Sequence, residues 1–231
     1  MLAIIDGDII VYRVATASKD VSGGIVKARF NQFMEDLLVY EIPDYDEHEA
    51  FLTGTGNFRY DVAVTKPYKG NRTGEKPEHW QLLREHAVKE WGFVIVDGIE
   101  ADDAIGILAT KHPDSVILTI DKDLDMIPGK HYNFVKKLWY DISPVAAIYN
   151  FYRQLLTGDR TDNIPGLTGI GPKRADKILD GCVTEEELYN ACLEAYEGNL
   201  EYMKEQGDLL WIRQNERQQA WTNSKSVLST K

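Results

Sequence analysis

A chain of 231 residues that is 43% apolar can bury one good core, or one core and a small appended lobe. No apolar run approaches the ~18 residues of a membrane span, Asp6 argues against a secretory signal peptide, and two cysteines, Cys182 and Cys192, fit neither a disulfide framework nor a metal pattern, so a reducing cytoplasm is expected. The net charge of −11 looks wrong for a nucleic-acid partner, but affinity follows local patches, and bases gather at Lys66, Lys69, Arg72 and Lys76 and again at Lys173, Arg174 and Lys177.

Leu2-Ala3-Ile4-Ile5 reads as a buried strand. After a Gly-containing break at 23–24, Phe30, Phe33, Met34, Leu37 and Leu38 recur at helical spacing. A second strand is expected at 49–53. Residues 54–80 are polar and hold Gly54, Gly56, Pro67, Gly70, Gly74 and Pro77; so long a connection is expected to be functional or mobile. A helix follows at about 78–91, a third strand at 93–96, a helix from near Asp102, a fourth strand at 116–120 and a fifth at 132–135. From Pro144, Val145, Ile148, Tyr149, Tyr152, Leu155 and Leu156 form a helical stripe. Strand–helix alternation followed by helices alone predicts an α/β domain with a central parallel sheet, residues 1–143, and a C-terminal α-helical lobe, residues 144–231.

Carboxylates gather after these runs, as Asp6-Gly7-Asp8, Glu100-Ala101-Asp102-Asp103, Asp121-Lys122-Asp123 and Asp159-Arg160-Thr161-Asp162. In open α/β sheets the ligand site lies beyond the carboxyl ends of the strands, so acids distant in sequence can meet there. Packed carboxylates repel and raise one another's pKa. Divalent cations relieve that strain, and oxygen-only donors suit Mg²⁺ or Mn²⁺. Such a set suits a two-metal site that cuts phosphodiesters.

Residues 166–177 sit between two helical patterns. Gly169 and Gly171 permit a tight turn and a close backbone approach. Pro172 suits a first helical position, free amides there can hold a phosphate, and Lys173 and Arg174 add positive charge. None of these groups reads a base edge, so binding of duplex irrespective of sequence is expected.

In order and in spacing, Ile5-Asp6-Gly7-Asp8, Tyr68-Lys69-Gly70-Asn71-Arg72, Glu100-Ala101-Asp102-Asp103, Asp121-Lys122-Asp123 and the string from Gly158 to Arg174 resemble the 5′-nuclease (flap endonuclease) superfamily, especially bacteriophage 5′–3′ exonucleases. The resemblance implies a parallel sheet with a helical arch at about 66–91 and a helix–three-turn–helix element in the C-terminal lobe. It implies Asp6, Glu100, Asp102 and Asp103 on a first metal, and Asp121, Asp123, Asp159 and Asp162 on a second. Lys69, Arg72 and Arg13 would serve catalysis. Tyr68, Gly169, Gly171, Lys173, Arg174 and Lys177 would bind DNA, with K⁺ at the 166–171 hairpin. The implied activity is 5′→3′ exonuclease or 5′-flap endonuclease, on DNA or RNA–DNA hybrid, by a monomer in the cytoplasm (a host's, if phage-encoded). The family's further Asp after the second strand is missing; Gly54 stands at its place. Gly54→Asp is therefore expected to strengthen the first metal site.

Plainer readings stand beside these. Asp8 is expected to bond nearby backbone, Asp103 is read as a ligand or as a helix cap, and Asp125 as a cap of the turn into Met126-Ile127. Glu185-Glu186-Glu187 is read as a solvated face. Two rival functions remain: a non-catalytic binder of branched DNA, and a phosphatase of the haloacid dehalogenase type, which wants the Asp6-Gly7-Asp8 pair.

Overall fold

A computed structural model of the chain describes residues 1–42, 44–217 and 221. In chain order its elements are β1 (Leu2–Asp6), α1 (Gly7–Thr16), α2 (Gly23–Glu35), β2 (Glu47–Thr53), α3 (Arg59–Val62), α4 (Trp80–Trp91), β3 (Val94–Val96), α5 (Ala101–Lys111), β4 (Val116–Leu118), β5 (Gly129–Asn133), β6 (Leu138–Ile142), α6 (Pro144–Thr157), α7 (Pro172–Ile178), α8 (Glu185–Ala195) and α9 (Leu200–Leu210). A π-helical turn at Asp36–Glu41 extends α2, and a 3-10 turn spans Lys122–Met126. The chain divides into two compact units, Met1–Asn57 with Gly74–Ile142, and Phe58–Thr73 with the residues from Ser143 on. The segment read as one arch, 66–91, is thus shared out: 66–73 fall in the second unit and 74–91 in the first. The end of the expected lobe, beyond 221, lies outside the described residues.

The first unit is built on a six-stranded sheet in the order β3-β2-β1-β4-β5-β6. β1 is central, parallel to β2 and β4, and Ala3, Ile4 and Ile5 are wholly buried. A strand covered on both faces reads as an unbroken apolar run. The sheet is not purely parallel: β6 runs antiparallel to β5. The expected fifth strand at 132–135 stops at Asn133, because the Asn133 side-chain oxygen accepts from the amides of Val135 and Lys136 and turns the chain into β6. The core joins Ile10 and Val14 of α1, Phe30 and Met34 of α2, and Leu83 and Ala87 of α4 to the sheet. Gly92, at φ +69°, caps α4 in the left-handed region that glycine adopts at least cost.

In the second unit Ser143 caps α6 and Pro144 opens it. Phe151 of α6 meets the rings of Trp211 and Trp221 at 5.0 and 5.2 Å. The acidic run 185–187 is not merely a solvated face. Glu187 closes a capping box with Thr184 at the start of α8, and the Tyr152 hydroxyl donates to Glu185. Gly158 and Gly166 close the loop between α6 and α7: a Cβ on Gly166 would lie 2.3 Å from the Gly158 nitrogen. Among the described residues no helix is long and apolar enough to cross a membrane.

Candidate functional site

In the first unit the acids gather where the strands end. Asp6 is the last residue of β1 and the N-cap of α1, accepting from the Ile9 amide at 3.2 Å. Its other oxygen accepts from the Thr119 hydroxyl at 2.8 Å, and that hydroxyl accepts from the Asp121 amide at 3.0 Å. Thr119 thereby ties the ends of β1 and β4 together. Burial above all, with repulsion from Asp8 and Asp121, pushes the Asp6 carboxyl up to about 7, against the pull of its bonds from Thr119 and Ile9. Asp121 caps the 3-10 turn, accepting from the Asp123 amide at 2.9 Å. Asp125, expected to cap the turn into Met126-Ile127, accepts from the Tyr140 hydroxyl at 2.9 Å.

Glu100 precedes α5, and Asp103, fully buried, accepts from the Glu100 amide at 3.1 Å. Asp103 thus closes a helix start, with Asp102 beside it in the first turn. The Thr53 hydroxyl, at the end of β2, accepts from the Ala101 amide at 2.9 Å. Asp8 accepts from the Thr53 amide and from Arg84, both at 2.9 Å, while Arg84 also donates to the Thr53 carbonyl. Asp8 is therefore a joint between α1, β2 and α4, which removes the second acid that the phosphatase reading needs. Gly54 cannot take the acid expected of it without rearrangement: a Cβ there would lie 2.2 Å from Asp97 and 2.7 Å from the Val96 carbonyl oxygen. Arg13 is exposed in the last turn of α1.

In the second unit residues 67–72 lie on the loop 159–163. The Lys69 amide donates to the Asp162 carbonyl at 2.9 Å, Asn163 donates to the Pro67 carbonyl, and Asn71 donates to the Arg160 carbonyl. The Asp162 carboxylate gathers three partners: the Tyr68 hydroxyl at 2.7 Å, Lys69 Nζ at 3.6 Å and the Arg72 guanidinium. Tyr68, read as a DNA contact, is only 4% exposed, so its ring is not a stacking surface. Asp159 accepts from the Thr161 amide.

Gly169 of the hairpin has φ +78°, and Pro172 opens α7. The amides of Arg174 and Ala175 both donate to the Gly171 carbonyl and so close the first turn of α7. Arg174 also folds back to donate to the Gly169 carbonyl at 3.3 Å. Lys173, Arg174 and Lys177 are exposed.

The expected site residues thus fall into two sets: Asp6, Arg13, Glu100, Asp102, Asp103, Asp121 and Asp123 in the first unit, and Tyr68, Lys69, Arg72, Asp159, Asp162 and the hairpin residues in the second. Among the described residues no three His, Cys, Asp or Glu side chains form a group that could hold a metal ion. The oxygen donors are of the right kind for a hard cation, and a carboxyl raised by burial first and by its acidic neighbours second is what such a cation would relieve. Sequence reasoning missed Thr119, Arg84 and Thr53. Thr119 had a signal, a hydroxyl inside an apolar run just before Asp121. Arg84 had none, because nothing local marks a helical arginine as buried.

No protein-family model matches the chain. It is 31% identical over 215 residues to the DNA polymerase I of Bacillus caldotenax, covering 81% of this chain and 24% of that one. The chain spans about a quarter of the length of the DNA polymerase I relatives it matches. It is 30% identical over 214 residues to a 5′-3′ exonuclease of Buchnera aphidicola subsp. Baizongia pistaciae, covering 81% of this chain and 68% of that one. Among solved structures, its fold is similar to the flap endonuclease of bacteriophage T5 in a pseudo-enzyme-product complex with DNA and metal ions. There the TM-score is 0.62 at 17% identity, over 90% of this chain and 97% of that one.

Proposed function

From the premise that the chain belongs to the 5′–3′ exonuclease family, we propose that it hydrolyses DNA phosphodiesters from the 5′ side, as an exonuclease and as an endonuclease on 5′ flaps. The observation that carries the reading is Asp6: a buried carboxyl beside two other acids at the end of the central strand, linked through Thr119 to Asp121. Asp6, Glu100 and Asp102, with Asp103 fixing the helix start, are assigned to one Mg²⁺ or Mn²⁺ ion. The family resemblance alone gives Asp121, Asp123, Asp159 and Asp162 to a second, the first two carried on one unit and the last two on the other. Bound divalent ions supply an activated water and charge for the leaving oxygen. Lys69 and Arg72 offset charge that builds on the phosphoryl oxygens, from a segment steadied by Asp162. Arg13 adds a cation on the first unit. The hairpin 166–171, with K⁺ bound, and the exposed Lys173, Arg174 and Lys177 hold the duplex by its phosphates. The reading takes the protein to act as a monomer in the cytoplasm, on duplex DNA with a 5′ end or 5′ flap.

A second reading, a non-catalytic binder of branched DNA, is favoured by the absence, among the described residues, of a ready-made three-acid group and by the filled space at Gly54. One gel separates the two: a 5′-labelled flap, a nicked duplex and a single strand, each with Mg²⁺ and with EDTA. Release of 5′ fragments only with Mg²⁺ is expected. Binding without cutting in Mg²⁺ selects the second reading, and full cutting in EDTA sinks the metal assignment.

A further inference from the structure

Two neighbouring residues of α9 reach two different elements of the second unit. One Glu205 carboxylate oxygen accepts from the amides of Val64 and Thr65 at 2.8 and 2.6 Å, and the other accepts from the Thr65 hydroxyl. Near the same helix end, Arg59, only 2% exposed, donates to the carbonyls of Leu209 and Trp211 at 2.9 and 2.6 Å. The segment that leads to Lys69 and Arg72 is therefore fastened to α9 before it reaches Asp162. Gln206, the next residue, is wholly buried, and its side-chain oxygen accepts from the Gly166 amide at 3.0 Å. One turn earlier the Tyr202 hydroxyl donates to the Gly166 carbonyl at 2.9 Å. Both backbone groups of Gly166, the first residue of the hairpin string, are thus held by α9. No side chain fits at Gly166, where a Cβ would lie 2.3 Å from the Gly158 nitrogen.

We propose that α9 sets the position of both phosphate-contacting elements of the second unit. Glu205 is the positioning residue for the segment bearing Lys69 and Arg72, and Gln206 with Tyr202 is the positioning pair for the duplex-holding hairpin. This rests on the nuclease reading above. Neither residue touches substrate; each acts through the backbone it holds. Among the described residues the buried Gln206 amide nitrogen has no hydrogen-bond partner, and the contact this side chain makes there is through its oxygen.

The two arms separate in experiment. Single-turnover cleavage of a 5′ flap in Mg²⁺ reads the first element, and the Kd for the same DNA in EDTA reads the second. Glu205→Ala is expected to slow single-turnover cleavage about tenfold or more while leaving the Kd unchanged, since a displacement of about 1 Å is enough for such a loss. Glu205→Gln, which still offers an acceptor, is expected to restore the rate. Tyr202→Phe and Gln206→Met are expected to raise the Kd about fivefold, the equivalent of one hydrogen bond, and to leave the rate at saturating enzyme unchanged. Tyr202→Phe keeps the second arm open if the buried Gln206→Met does not fold, and Glu205→Gln does the same for the first. Equal losses in both readouts, or no split in folded variants, overturn the proposal. Wild-type protein that does not cut sinks the nuclease reading instead, so the two failures are told apart.

Discussion

The Asp97 carboxylate fills the space that a side chain on Gly54 would need: a Cβ there would lie 2.2 Å from Asp97 Oδ1. Asp97 is fixed in that place by the Thr55 amide at 2.7 Å and the Thr55 hydroxyl at 3.0 Å, bonds that hold its carboxyl below the usual range. Gly54→Asp is therefore expected to destabilise the fold by about 2 kcal/mol, the scale of overpacking, and not to lower the Mg²⁺ concentration needed for cutting. Adding Asp97→Ala should recover only part of the loss, because the Val96 carbonyl, 2.7 Å away, is backbone. A thermal melt and a Mg²⁺ titration of both variants check this; an intact melt with a lower Mg²⁺ requirement would overturn it.

Asp6 predicts the behaviour of the metal-free protein. Its folded pKa, about 7, lies above the ordinary 3.8, so the native state binds more protons than the unfolded state between those values. Asp6 therefore makes metal-free protein lose stability as pH rises from about 4 to about 7. Asp6→Asn removes the buried charge and should raise the metal-free melting temperature at pH 8, while Mg²⁺ ceases to stabilise the variant. Melts at two pH values, with and without Mg²⁺, measure both. A wild-type melt that rises over that interval, or Asp6→Asn protein still stabilised by Mg²⁺ as wild type is, would count against the assignment.

Asp8 should behave as a structural residue. Arg84, whose side chain is 9% exposed, loses its charge partner in Asp8→Ala, and the Thr53 amide loses its acceptor. A loss of about 2 kcal/mol is expected, less than for a fully buried pair because Asp8 is partly exposed. The Mg²⁺ half-saturation should not move. Denaturant melts and a Mg²⁺ titration decide, and a stable variant with weakened Mg²⁺ dependence would make Asp8 a ligand after all.

The ends of β1 and β4 were legible because a carboxylate pair follows each apolar run, Asp6-Gly7-Asp8 after Leu2–Ile5 and Asp121-Lys122-Asp123 after Val116–Ile120. β6 was not, since Leu138 and Trp139 lie about half exposed on an edge strand and leave no apolar run. The Tyr68–Arg72 string was legible as a motif but its partners were not. Asp162 lies 94 residues from Tyr68, Glu205 lies 141 from Val64 and Gln206 lies 40 from Gly166, and long-range polar bonds leave no local period in a sequence. For the same reason Gly54 read as a vacant position, when the neighbouring strand had already filled it with Asp97.

The hairpin gives a salt test. Lys173→Ala with Arg174→Ala should weaken duplex binding for all sequences alike and reduce the log–log salt slope by about 2. Arg174→Ala alone should cost more affinity than Lys173→Ala, because Arg174 also donates to the Gly169 carbonyl and so supports the turn itself. Equal single effects, or an unchanged slope in the double variant, would remove the hairpin from the duplex contact.

Asp162 gives the opposite sign. Its carboxylate engages Lys69 and Arg72, the two cations assigned to the phosphate. In EDTA the DNA must compete with Asp162 for both. Asp162→Asn keeps an oxygen for the Tyr68 hydroxyl but gives up the charge, so the hold of Asp162 on Lys69 and Arg72 weakens in favour of phosphate. Binding in EDTA should tighten, and its log–log salt slope should steepen by up to about 2. Cutting in Mg²⁺ should fall, because the same change removes a carboxylate assigned to the second ion. Asp6→Asn, whose carboxylate is held by the Ile9 amide and the Thr119 hydroxyl, is the control: it should lose cutting without steepening the slope. If Asp162→Asn binds with the wild-type slope, the ion pairs do not restrain Lys69 and Arg72, and Asp162 serves the metal alone.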